Sequence, residues 1–142
     1  MAYSRFQFKD PVLKHLRFCV NDAFASDAPV SIDISISAKT SPVEKIEGST
    51  ERIANVSVTL IVGEETDAAP FYVEATEAAD FKWSEEDFNE KQSEKLLEQN
   101  AVALLISYIR PIISSVTAAS RYSSYNLPYI DVTSLKRDDM NK

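Results

Sequence analysis

Glycine is scarce in this chain: Gly48 and Gly63 are the only two in 142 residues. Loops that cradle phosphate with their backbone need several glycines at fixed spacing, so neither a G-x-G-x-x-G turn nor a P-loop is available. The single cysteine, Cys19, excludes an intrachain disulfide and fits a reducing compartment. The single histidine, His15, excludes a multi-histidine metal centre and most histidine acid–base dyads. Four residues along one face of a strand separate His15 and Cys19 by about 13 Å, too far for a base and its nucleophile. His15 reads instead as a polar residue on the outer face of a sheet, and Cys19 as a small apolar filler. No serine sits in G-x-S-x-G, and no carboxylate pair has a spacing that compels acid–base work.

Positive charge is also short. Fifteen Lys and Arg face 22 Asp and Glu, a net charge of −7. The basic patch of a nucleic-acid binder is missing from the pattern. The first residues, MAYSRFQFKDPV, lack the apolar run of a signal peptide. The expectation is therefore a cytoplasmic protein that is not an enzyme, needs no cofactor or metal, and neither binds nucleic acid nor inserts into a membrane.

What the chain does have is one strongly periodic stretch, Leu96 to Ser120. Leu97, Ala101, Leu105, Tyr108, Ile112, Val116 and Ala119 recur at steps of three and four, and Val102, Ile106, Ile109 and Ile113 form a second row beside them. Together the rows cover roughly half the circumference of a helix, wider than one covering sheet requires. The opposite face carries Ala103, Ser107, Ser114 and Ala118, with Arg110 among them. This predicts a helix packed on its own sheet on one side and on a partner subunit on the other. A helix buried wholly within its own chain is the alternative. Asn100, Ser107, Arg110 and Pro111 interrupt the apolar run, which argues against a membrane span. Pro111 cannot donate to the Ser107 carbonyl, and a kink is expected there.

Four strands are predicted ahead of the helix. The first runs from Tyr3 to Asn21 with a break at Asp10-Pro11. Its second half places Val12, Leu16, Phe18 and Val20 on one side and Leu13, His15, Arg17 and Cys19 on the other, with Lys14 interrupting the apolar row near the break. Val30 to Ser37 alternates apolar and polar residues as a half-buried strand, followed by a polar connection, Lys39 to Glu51. Arg52 to Val62 and Phe71 to Phe81 form a hairpin across the turn Gly63 to Asp67, whose acids read as solvated turn residues. Ser84-Glu85-Glu86-Asp87 resembles a capped helix start, and Phe88 to Glu94 is either a short helix or a loose lead into the long one. Asp131 or Thr133 caps a short last helix. This is an α+β chain in a single domain, with a sheet over 3–81, a helical part over 85–120, and an aromatic loop, short helix and tail over 121–142.

Apolar and aromatic residues remain outside this regular core: Phe24, Trp83, Tyr122, Tyr125, Leu127 and Tyr129. Exposed apolar surface rimmed by charge marks a protein-binding site; the alternative is that these residues cover the ends of the sheet.

The order of these words resembles the SecB family of protein-export chaperones over roughly Phe6 to Leu135. Phe6-Gln7-Phe8 and the pair Phe18 and Asn21 are similar to the family's first strand. Val58 to Thr66 is similar to its third strand and turn, and Phe71-Tyr72-Val73-Glu74 with Phe81 to its fourth. Leu105 to Arg110 resembles the long-helix motif ending in arginine, and Asn126 to Asp131 the later segment around a proline.

The resemblance implies a four-stranded antiparallel Greek-key sheet followed by a long helix and a short C-terminal helix. It also implies a homo-oligomer built as a dimer of dimers, and ATP-independent holding of unfolded or presecretory polypeptide clients. On it, Phe24, Trp83, Tyr125, Leu127 and Tyr129 are the client-binding candidates. Tyr108, Ile109, Ile112 and Ile113 are the candidates for the oligomer interface. Glu74 keeps one of the acids with which the family docks the translocase motor SecA, while His15 and Cys19 stand at its acidic first-strand positions. A dedicated adaptor or antitoxin-associated chaperone with one client is the second reading. A hot-dog-type thioesterase ranks last, because four strands precede the helix here. With the helix in an interface, Ile109→Asp is expected to weaken assembly, because a desolvated carboxylate costs several kcal/mol unless paired.

Overall fold

The computed structural model describes residues 4–25 and 30–135. The start of the first predicted strand at Tyr3, part of the loop before Val30 and the tail after Leu135 lie outside the described residues. The chain forms an antiparallel sheet with strands β1 (Gln7–Val20), β2 (Ile34–Thr40), β3 (Glu44–Lys45), β4 (Glu51–Gly63) and β5 (Phe71–Ser84). The order is β1-β5-β4-β2, with β3 pairing β4 beyond the end of β2. Three successive strands are neighbours and the first lies beside the last, which is the expected Greek key.

The β4–β5 hairpin forms an unbroken antiparallel ladder from Glu51 opposite Ser84 to Gly63 opposite Tyr72. Val56, Val58, Leu60 and Val62 on β4 face the same side as Phe71, Val73, Ala75 and Phe81 on β5, and all are buried. The hairpin turn begins at Gly63, where φ is +85° and an added Cβ would stand 2.0 Å from the Phe71 carbonyl oxygen, so only glycine fits. The same turn limits β2. Ile34 pairs with Val62, and beyond Gly63 the ladder has no further partner. The strand expected from Val30 therefore starts at Ile34 and instead runs on to Thr40. The connection expected to be irregular contains β3, because β4 extends past the end of β2 and offers Ile53 and Arg52 to Glu44 and Lys45.

β1 holds two register shifts, between Lys9 and Val12 and between Leu13 and His15. The first is the expected break, where Asp10 takes φ +51°, a left-handed conformation that Asp tolerates better than most residues. The second leaves Lys14 as an extra residue and corrects the side assignment. Leu13 lies opposite Glu77 and Leu16 opposite Ala75, on the helix-facing side, while Val12 lies opposite Ala78 on the outer side with His15, Arg17 and Cys19.

The helical part starts later than Ser84. β5 continues through Ser84 because Glu51 still pairs with it, and the Ser84 hydroxyl serves a turn, accepting from the Glu86 N–H. Asn89 caps the helix in a capping box, its side chain accepting from the Gln92 N–H while the Gln92 side chain accepts from the Asn89 N–H. From there α1 (Glu90–Lys95) passes through one π-helical turn, Leu96–Asn100, into α2 (Ala101–Ala118), which runs on through Pro111. The 29 residues from Glu90 to Ala118 are long and apolar enough to cross a membrane by length and composition, but their apolar stripe lies on the sheet. Asp131 caps a 3-10 turn, Val132–Ser134, as expected.

α2 packs on β4 and β5 with a buried stripe of Ala101, Val102, Leu105, Ile106, Ile109, Ile113 and Thr117. Ile109 and Ile113 are fully enclosed in the chain's own core, whereas Tyr108 is 39 % exposed and Ile112 half-buried. Ile109→Asp is therefore expected to lower folding stability itself by several kcal/mol, read as a reduced urea midpoint at a concentration where association is negligible. An unchanged midpoint would contradict the placement of the helix.

Candidate functional surfaces

One helix is about 10 Å wide and strands lie about 4.8 Å apart, so α2 covers two strands. On the β2 side, the chain after α2 closes the gap. Tyr125 sets its ring edge-on to Phe71 at 5.9 Å and its N–H bonds the Thr117 hydroxyl at 2.8 Å. Leu127 is buried, and Ile130, Val132 and Leu135 pack against the core. Arg110 pins this segment to α2, donating from Nη1 to the Leu127 carbonyl at 2.6 Å and from Nη2 to the Pro128 carbonyl at 2.9 Å. A cationic donor in an otherwise apolar helix is the sequence signal for this role. Between α2 and the segment lies an open groove of about 440 Å³, lined by Ile106, Arg110, Tyr129, Ile130 and Val132 among others. Tyr129 is 92 % exposed at its edge.

On the β1 side nothing among the described residues closes the gap. Phe8, Leu13 and Leu16 face the helix layer yet are 39 %, 43 % and 41 % exposed. Beside them α2 presents the row Leu104, Tyr108 and Ile112, spaced four apart, with Tyr108 edge-on to Phe8 at 6.2 Å. This is a continuous apolar strip along a free strand edge.

The client-binding candidates fall in different places. Tyr125, Leu127 and Tyr129 share the segment along α2. Phe24 meets Tyr122 at 6.1 Å near the start of β5. Trp83 is buried near its end, at the floor of a second groove of about 270 Å³ with Val43, Arg52 and Phe88. Twelve strand residues, about 40 Å, separate these two ends.

The outer sheet face is polar. Thr59 and Thr76 share a hydrogen bond at 2.7 Å, and Asn55 donates to Asp80 at 2.9 Å. At its β1 side Glu74 is held by two donors. The Tyr72 hydroxyl donates to Oε1 at 2.6 Å, and His15 Nε2 lies 2.6 Å from Oε2. The Tyr72 bond is the main reason the Glu74 carboxyl sits below its ordinary range, with His15 adding to it. The same bond is the main cause that pushes the Tyr72 hydroxyl up to about 12. Arg17 pairs with Glu65 at 2.5 Å and lies over the Tyr72 ring at 5.6 Å. Among the described residues no three His, Cys, Asp or Glu gather as metal ligands.

Two predictions follow from these contacts. Arg110→Ala removes two charge-assisted bonds, each worth roughly 1.5–3 kcal/mol. It should make the chain after α2 a preferred cleavage site in limited proteolysis; an unchanged cleavage pattern would contradict the pinning role. Because the folded Glu74 carboxyl is lowered, its bonds stabilise the fold above the ordinary glutamate range near about 4.3 and cease to do so as pH falls through the lowered value. The stability gap between wild type and Tyr72→Phe should thus be largest near neutral pH and shrink in acid, as read from urea melts. A constant gap would contradict it.

The comparisons agree with this geometry. The model of the family described as preprotein translocase subunit SecB matches residues 6–142. An uncharacterized protein of Methanocaldococcus jannaschii, MJ0357, is 24 % identical over 131 residues, covering 91 % of this chain and 81 % of that protein. In structure, the Mycobacterium tuberculosis SecB-like chaperone Rv1957, solved in complex with a ChAD peptide from the HigA1 antitoxin, matches with a TM-score of 0.66 at 16 % identity, over 89 % of this chain and 91 % of that one. A crystal structure of a Streptococcus agalactiae protein of unknown function matches with a TM-score of 0.55 at 9 % identity, over 90 % of this chain and all of that one. With an antiparallel Greek-key sheet, one long helix laid across it and a family match over nearly the whole length, the chain belongs to the SecB family.

Proposed function

We propose that this protein is an ATP-independent, cytoplasmic chaperone that assembles through its bare β1 flank and holds unfolded or presecretory polypeptides in the grooves beside α2. The observation that carries the reading is the apolar strip of Phe8, Leu13, Leu16, Leu104, Tyr108 and Ile112 beside a free edge. Burying the exposed remainder of each large side chain is worth roughly 1 kcal/mol. Two copies of the strip, facing each other about a two-fold axis, gain about 10 kcal/mol before the entropic cost of association, enough for a specific dimer. The family resemblance supports a second pairing of such dimers. Tyr108 and Ile112 then serve the interface directly, and Ile109 and Ile113 support it from beneath.

Clients enter the groove between α2 and the segment that Arg110 holds. Tyr129 stands free to contact them, with Ile106, Ile130 and Val132 as the apolar lining, while Tyr125 and Leu127 anchor the segment to the core beside it. Phe24 and Trp83 extend the contact surface to the two ends of the sheet, which suits long extended chains better than a compact ligand. Binding of this kind is promiscuous, because apolar pockets give affinity while backbone contacts ask for little sequence. Docking of SecA at Glu74 would have to share a carboxylate already bonded to Tyr72 and His15.

A second reading has a specific observation in its favour: the structurally similar Rv1957 was solved with an antitoxin peptide. In that reading this protein serves one dedicated client. Light scattering of a reduced, aggregating test protein separates the two. The general chaperone suppresses scattering at about one assembly per client, and Tyr129→Ser weakens suppression while solution mass stays the same. Monomeric mass together with no suppression would overturn the first reading, and suppression of none but one partner would favour the second.

A further inference from the structure

Among the described residues one buried side-chain group has no partner in its surroundings. Glu77 lies in the middle of β5 and is 4 % exposed, and its Oε2 is buried without a hydrogen-bond partner. By register its side chain belongs to the helix-facing layer, between Val58 on β4 and Leu13 on β1. Nothing charged answers it from the elements packed there. Its neighbours across the ladder are Val58 and Leu13, and the buried stripe that α2 lays on β4 and β5 holds no charged residue. On β1, Lys14 is the extra residue of the second register shift and makes no ion pair with Glu77, while His15 is on the outer face beside Glu74. On the flank of α2 beside β1 the titratable side chain is the phenol of Tyr108, whose ring meets Phe8.

Leu13, directly opposite Glu77, is one of the half-bare residues of the β1 strip. Covering that strip with another copy removes the water nearest the carboxyl and deepens its isolation. An unpaired carboxylate is penalised in such a place and the neutral acid is not. We propose that Glu77 enters the interface between two copies of this chain as its neutral acid, so that assembly takes up protons. The inference rests on the proposed assembly through β1.

Burial already pushes the Glu77 carboxyl upward in the single chain, and assembly pushes it further. The sign follows from that direction. The bound proton is favoured by assembly, so association is tightest in mild acid and weakens as pH rises through the raised value. Each proton released on dissociation changes the association constant about tenfold per pH unit.

The test is sedimentation equilibrium of the full chain between about pH 5 and about pH 8, above the ordinary carboxylate range. Wild type is compared with Glu77→Gln and, as a second uncharged variant, Glu77→Met. The proposal expects wild-type association to weaken with rising pH and both variants to associate tightly with little pH dependence. Any pH dependence left in the variants belongs to other groups. Three results would overturn it. Equal pH dependence in all three proteins would show that Glu77 is not the linked group. Wild-type association that strengthens with pH would mean that the second copy supplies a cation to the carboxylate. Monomers of all three proteins at every pH would remove the assembly itself and the proposal with it.

Discussion

A single helix laid over four strands cannot cover them all, and the rest of this molecule follows from where the shortfall is made up. α2 covers β4 and β5 with a stripe that ends in fully buried Ile109 and Ile113. On one flank the chain folds back on itself, and Arg110 fastens the returning segment through two carbonyls. On the other flank no described residue does the same. Phe8, Leu13 and Leu16 remain half in water beside Tyr108, and β1 remains an open edge. Covering one flank creates a groove, and the other stays bare among the described residues. Both surfaces on which the proposed function rests come from the same deficit.

The polar side chains form closed partnerships on the outer sheet face, such as Tyr72 and His15 with Glu74, or Thr59 with Thr76. The surfaces that remain open are apolar and elongated. Such surfaces suit the proposed holding of extended chain without regard to sequence.

Much of the fold was legible in the sequence where one pattern acted alone. β4 and β5 alternate cleanly over their length, and the helix declared itself by its two rows. The errors arose where elements compete for the same residues. Ser84-x-x-Asp87 and Asn89-x-x-Gln92 both look like helix starts, and the sheet decided between them by keeping Ser84 paired with Glu51. The sides of β1 were misread because the extra residue Lys14 flips the alternation, and only the register against β5 reveals which residue is extra. Among the site candidates, Tyr129 is as exposed as expected, while Trp83 and Leu127 are core residues in the single chain. A lone aromatic outside a periodic run carries no signal of the side to which it turns. The role of Arg110 was visible as a charge in an apolar helix, but its partners are backbone carbonyls, which leave no mark in a sequence.

The central claim is that a second copy of the chain covers β1 and the adjoining flank of α2. Amide hydrogen exchange along β1, followed over a dilution series, addresses it most directly. The account predicts that the edge amides between Phe8 and Leu16 are protected at high concentration and lose that protection on dilution, in step with the fall in solution mass. Exchange at these amides that is fast and independent of concentration would contradict it.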